Sequence, residues 1–121
     1  MKIAVTATEP SLDALIDPRF GRCRCFVIAN TETPEHEIVD NSNTDAPGGA
    51  GISTAQMIVD KKVEVVITGN CGPNAYKVLS GAKVKIITGV TGKVSDAIND
   101  YKKGSLSFSE ESNVAEHFGA S

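Results

Sequence analysis

No stretch of this sequence stays apolar for anything near the ~20 residues of a membrane-spanning helix. The richest run, residues 63–67 (VEVVI), is already broken by Glu64. The opening MKIAVT turns polar too soon for a secretory leader, so neither export nor membrane insertion is expected and a cytoplasmic location is. Cysteine is scarce and odd in number, three in all, which argues against a disulfide scaffold and for reduced thiols. There is no basic stripe. All 12 Lys and Arg lie before residue 104 and are matched there by as many Asp and Glu, while the remainder holds Glu110, Glu111 and Glu116 and accounts for the net charge of −3. A nucleic-acid partner, which needs cationic surface to neutralise phosphates, is therefore not expected. Both G-x-G-x-x-G and Walker A patterns are missing, so nothing marks a nucleotide site.

What is present is an ordinary globular composition, 121 residues with 40% hydrophobic and 22% charged, enough for one domain with one continuous core. Residues 2–7 (KIAVTA) read as a buried first strand, β1. Residues 8–22 carry Pro10, Pro18 and Gly21 among polar side chains and read as a loop, long enough to suggest a functional one. Residues 24–30 and 36–41 are strand-like (β2, β3), with a turn containing Pro34 between them. A polar, glycine-rich link covers 43–51. Helical spacing then predicts α1 over about 51–61, a buried strand β4 at 63–68 and a helix α2 opened by Pro73. Beyond these, strand β5 is predicted at 84–88, followed by a helix α3 marked by Val94, Ala97, Ile98 and Tyr101, with Thr91 as cap and Gly104 as stop. Residues 1–103 form the expected domain and 104–121 an acidic, partly disordered tail.

The order β1-β2-β3-α1-β4-α2-β5-α3 implies a mixed five-stranded sheet: a short turn makes β2 and β3 antiparallel, and helical crossovers make β4 and β5 parallel to their neighbours. Following the chain direction, four loops (8–22, 43–51, 69–72 and 89–92) reach the same edge. The carboxyl ends of strands are where open α/β sheets bind ligands. All three arginines, Arg19, Arg22 and Arg24, fall on this rim, as do Cys23, Cys25 and Cys71 and the glycines at 48, 49, 51, 69 and 72. Guanidinium forks and helix N-termini suit a compact anion, and these glycines let the backbone approach it closely. If strand alternation extends through Cys23 and Cys25, both sulfurs share a face and reach one soft metal, and Cys71 before a helix start has a lowered pKa. The bland alternatives are that Cys25 is a small core residue, Cys71 a turn filler and the arginines a solvated face.

Enzymatic readings find little support, because neither His36 nor His117 falls on the rim, β1 has no carboxylate for two-metal chemistry, and no general base accompanies Cys71.

The motifs Phe20-Gly21-Arg22, Gly48-Gly49-Ala50-Gly51-Ile52-x-Thr54-Ala55-Gln56 and Gly72-Pro73-Asn74-Ala75-Tyr76-x-Val78-Leu79 resemble those of the dinitrogenase iron–molybdenum cofactor biosynthesis family. The likeness spans about residues 1–103, with three motifs in the right order. It implies an RNase H-like α/β fold and the binding or carriage, without catalysis, of iron–molybdenum cofactor, its precursors or a molybdenum–copper sulfide cluster. Gly21, Arg22, Gly48, Gly49, Gly51, Gly72, Pro73 and Asn74 carry over as cluster-pocket positions. To these the residue chemistry adds Arg19, Arg24 and Asn70 as contacts and Cys23, Cys25 and Cys71 as thiolate ligands. Many relatives have His before Phe-Gly-Arg and a small residue after it, where this chain has Arg19 and Cys23. The partners expected are the metal–sulfur cluster and a cluster-assembly protein. The alternatives are a regulatory or protein-interaction module and a small-anion binder without metal.

Overall fold

The computed structural model describes residues 1–41 and 50–108. Gly48 and Gly49, the tail glutamates and His117 lie outside the described residues. The elements run β1 (Lys2–Ala7), β2 (Cys25–Asn30), β3 (His36–Asp40), α1 (Ala50–Asp60), β4 (Val65–Ile67), α2 (Pro73–Gly81), β5 (Lys85–Ile87) and α3 (Val94–Lys102).

They form a five-stranded sheet in the order β3-β2-β1-β4-β5. The β1–β2 and β2–β3 pairs are antiparallel, and β1–β4 and β4–β5 are parallel. Val5 of β1 sits opposite both Val27 of β2 and Ile67 of β4, which places the most shielded strand in the middle. Side chains alternate across each strand. Ile3, Val5, Val27 and Ile67 pack with Val94, Ala97 and Ile98 of α3 on one face. Ala4, Phe26, Ile28 and Val66 pack with Ala55 and Ile58 of α1 and Ala75 and Leu79 of α2 on the other. The sheet is thus the middle of three layers, with two helices on one side and one on the other.

Two details differ from the spacing argument. β4 and β5 are three residues each, because Val63 and Val84, though buried, lie before the laddered segment. The residue before α3 is Lys93, with no side-chain cap, rather than Thr91. That stretch is instead tied to the long loop, with Leu15 bridging Lys93 and the Ile16 N–H donating to the Gly92 carbonyl at 2.8 Å. Among the described residues no helix is long and apolar enough to cross a membrane.

Candidate functional site

Ala7 at the end of β1 pairs with Cys25 at the start of β2, and Cys25 pairs with Asp40 at the end of β3. Residues 8–24, Asn41 and the turns after β4 and β5 therefore leave the sheet at one edge. The loop from 17 to 24 is fastened there by interactions with distant parts of the chain. Phe20 is buried and meets Phe26 edge-on, with ring centroids 5.6 Å apart. The Phe20 N–H donates to the Asn70 carbonyl (3.1 Å), and Asn70 Nδ2 donates to the Pro18 carbonyl (3.0 Å). A Cβ on Gly21 would stand 2.8 Å from Gly51 Cα, and one on Gly69 2.7 Å from Pro18 Cα, so both glycines permit backbone-to-backbone contact. For Gly69 this corrects the expectation that the residue serves close approach to a ligand. It is buried and serves packing against the loop.

Polar side chains complete the fastening. Asn41 Nδ2 donates to the Cys23 carbonyl at 2.9 Å and the Gly21 carbonyl at 3.2 Å. Thr54 Oγ1 of α1 lies 3.1 Å from the Gly21 carbonyl and 3.2 Å from Asn41 Oδ1. Thr6 Oγ1 lies 2.7 Å from the Asp17 carbonyl and 3.0 Å from Thr68 Oγ1. With one proton to give, Thr6 serves the carbonyl and accepts from Thr68. Asp17 is buried, and its Oδ1 accepts from the Arg19 N–H (2.9 Å) and faces Arg19 Nε (3.5 Å), while the Arg19 side chain is otherwise well exposed.

The outcome is two adjoining cavities that share Arg19 and Arg22 as a wall. One, of about 350 Å³, is lined by Arg19, Phe20, Gly21, Arg22, Ala50, Gly51, Asn70 and Gly72. It collects the first residues of α1 and the N-cap of α2. Gly72 has no side chain to cap α2, Pro73 is at its first position, and the first N–H groups of any helix lack an intrahelical partner. A Cβ on Gly72 would meet nothing within 4 Å, so that wall is open space. The second cavity, of about 560 Å³, is lined by Thr8, Asp17, Arg19, Arg22, Arg24, Asp40 and Asn41. Arg19, Gly21, Arg22, Gly51, Asn70 and Gly72 are thus gathered round one cavity, Arg24 stands in the next, and Pro73 and Asn74 follow Gly72 in the first turn of α2.

The cysteines are placed otherwise than expected. β2 begins only at Cys25, so the alternation rule does not reach back to Cys23. Cys23 packs on the α1–α2 face of the sheet, with Asn41 Nδ2 near its sulfur, and Cys25 packs on the α3 face. Cys71 is buried on the first of these faces, and all three are free thiols. Burial pushes the Cys71 thiol up to about 12, not down, because desolvation disfavours the thiolate. Burial and then the Asp17 carboxylate raise Cys23 well above its usual range, and burial and then Asp40 raise Cys25. Among the described residues no group of three or more His, Cys, Asp or Glu is placed to hold a metal ion. His36 is at the far end of β2–β3, away from the rim. The residues that sequence reasoning passed over are Asp17, Asn41 and Thr54. Their only sequence signal is Thr54, which falls inside the glycine motif as a polar residue on the apolar side of a helix.

A model of the dinitrogenase iron–molybdenum cofactor family matches residues 1–104. Among solved structures, the apo form of the orange protein from Desulfovibrio gigas superposes with a TM-score of 0.90 at 37% identity, covering 93% of this chain and 95% of that one. A putative NifB protein from Thermotoga gives a TM-score of 0.77 at 34% identity, over 88% and 91% of the two chains. An uncharacterised protein of Methanocaldococcus jannaschii is 30% identical over 109 residues, 88% of this chain and 89% of its own length. On this evidence the chain is a member of the dinitrogenase iron–molybdenum cofactor family.

Proposed function

We propose that this protein binds or carries an anionic metal–sulfur cluster, with molybdenum and either iron or copper, as a non-catalytic cytoplasmic carrier built on an RNase H-like domain of residues 1–103. One observation carries the reading: Arg19 and Arg22 and the starts of two helices line a single cavity. Each contributes positive charge or backbone N–H donors, and among the described residues no carboxylate lines that cavity. Sulfide ligands on a cluster spread negative charge over a soft, weakly hydrated surface. Planar guanidinium groups and backbone amides hold such a surface without stripping a metal of its own ligands. Gly72 adds no side chain to the cavity wall, and a Cβ there would meet nothing within 4 Å. The buried, protonated thiols fit poorly as first ligands, since a thiol must lose its proton to bind metal. In this reading the cargo is therefore held by charge and hydrogen bonds, and Cys23, Cys25 and Cys71 support the loops around it.

Anaerobic reconstitution with thiomolybdate and copper tests the proposal. The expected result is a chromophore at fixed stoichiometry that co-elutes with the protein and is lost in Arg22→Ala and Arg19→Ala. A wild-type protein that takes up no chromophore, or arginine variants that load as fully as wild type, would overturn it.

A further inference from the structure

The two edges of the sheet are finished differently. At one edge β5 is three residues long, begins on exposed Lys85 and follows Lys83. Shortness and lysine are the usual devices that keep an edge from pairing. At the other edge β3 is five residues long, contains no Pro or Lys, keeps continuous register with β2 and is exposed at every position but the half-buried Val39. Its central side chain, Ile38, is a large apolar group left 38% exposed.

The hydrogen-bond parity of β3 is fixed by its ends. The Asn30 N–H donates to the Glu35 carbonyl and the Asn41 N–H to the Arg24 carbonyl, both in line with the β2–β3 register. Bonded pairs alternate along an antiparallel ladder. Glu37 and Val39 therefore bond to β2, and His36, Ile38 and Asp40 direct their N–H and C=O groups outward. These three outward residues are symmetric about Ile38.

We infer that β3 is a self-pairing edge, on which a second copy of this chain docks antiparallel about a two-fold axis through Ile38 and extends the sheet. Ile38 then meets Ile38 of the second copy, His36 meets Asp40, and Glu37 meets Val39. Every outward backbone group is used, an apolar pair fills the centre, and imidazole opposes carboxylate on each side. Other registers are worse. A shift of one residue sets outward groups against inward ones. Shifts of two either oppose Glu37 to Glu37 of the second copy or leave His36 without an opposite residue. The complementarity of the strand is to itself, which favours a second copy over an unrelated peptide. Because the strands run antiparallel, the two rims point to opposite ends and both stay open, so the pairing stands or falls independently of the proposed cargo.

A five-residue strand pair buries less than the roughly 1,200 Å² of a standard complex, so association is expected between about 10 µM and about 1 mM. Sedimentation equilibrium over that range should show the mass rising from 12.7 kDa toward twice that value. Ile38→Pro removes only an outward N–H and spares the β2 ladder, so it should remain folded by circular dichroism yet stay monomeric. Lys85→Glu on the other edge should dimerise like wild type. Opposed bonded residues have Cα atoms about 5.5 Å apart, within disulfide reach. Ile38→Cys should therefore cross-link under mild oxidation far faster than His36→Cys, with the native cysteines buried and out of competition. A wild-type protein that is monomeric throughout, a dimer that survives Ile38→Pro, or equal cross-linking of the two cysteine variants would each overturn the inference.

Discussion

Asn41 follows β3 directly, yet its amide holds carbonyls of Gly21 and Cys23 and its oxygen faces Thr54 of α1. One side chain thus sets where the Arg22 backbone lies. Removing it strands buried acceptors, which costs about 1–3 kcal/mol. Asn41→Ala should therefore lower stability by that amount in urea denaturation, and weaken anion loading although Asn41 sits on the far side of Arg22 from the glycine-lined cavity. An unchanged midpoint would show that the latch does not fasten the loop. The arginines that line this cavity were legible in the sequence because they cluster along the chain, and its glycines because the order of strands brings their loops to one edge. Asp17, Asn41 and Thr54 were not, since a polar residue's partners 20 or 33 positions away leave no local mark. The paired cysteines misled for a related reason. Alternation holds only inside a strand, and β2 starts at Cys25, two residues too late to carry Cys23 with it.

At the level of elements, α2 is the most informative. Its N-cap, Gly72, has φ −71° and ψ 168°, extended backbone that any residue adopts, and a side chain there would meet no neighbour. Glycine is thus not needed for the fold at this position, while Asp is among the best N-caps. Gly72→Asp should leave stability unchanged or raise it by a few tenths of a kcal/mol, by capping N–H groups that are now free. The same carboxylate would oppose an anion in the cavity and is expected to weaken thiomolybdate loading by about tenfold or more, roughly 1.4 kcal/mol per factor of ten. Thermal melts and loading titrations on one sample separate the two effects, and full loading of Gly72→Asp would remove α2 from the site. Periodicity located α1, α2 and α3 because each buries one apolar stripe. It placed the strand ends less well: β4 and β5 are fixed by ladder bonds, while the apolar residues flanking them are buried without pairing.

Across the whole molecule, the cavity walls come from three separately anchored pieces: the 17–24 loop, the start of α1, and the turn after β4 that ends on the N-cap of α2. Only tertiary structure holds these together, so a ligand spanning them binds the folded chain and not the unfolded one. At 100 times its dissociation constant such a ligand adds about 2.7 kcal/mol to stability. For a domain between the ~100 and ~150-residue classes this corresponds to a rise in Tm of roughly 8–12 °C. Arg19 and Arg22 are exposed, so replacing both with Ala should change the unliganded Tm little while removing most of the ligand-induced rise. Molybdate, which has the charge of tetrathiomolybdate but hard oxygen ligands, separates charge from softness. A cavity selecting for sulfide surfaces shifts Tm with the thio anion and much less with the oxo anion. Equal shifts would reduce the site to a generic anion cradle, and a rise that persists in the double arginine variant would place the ligand elsewhere on the protein.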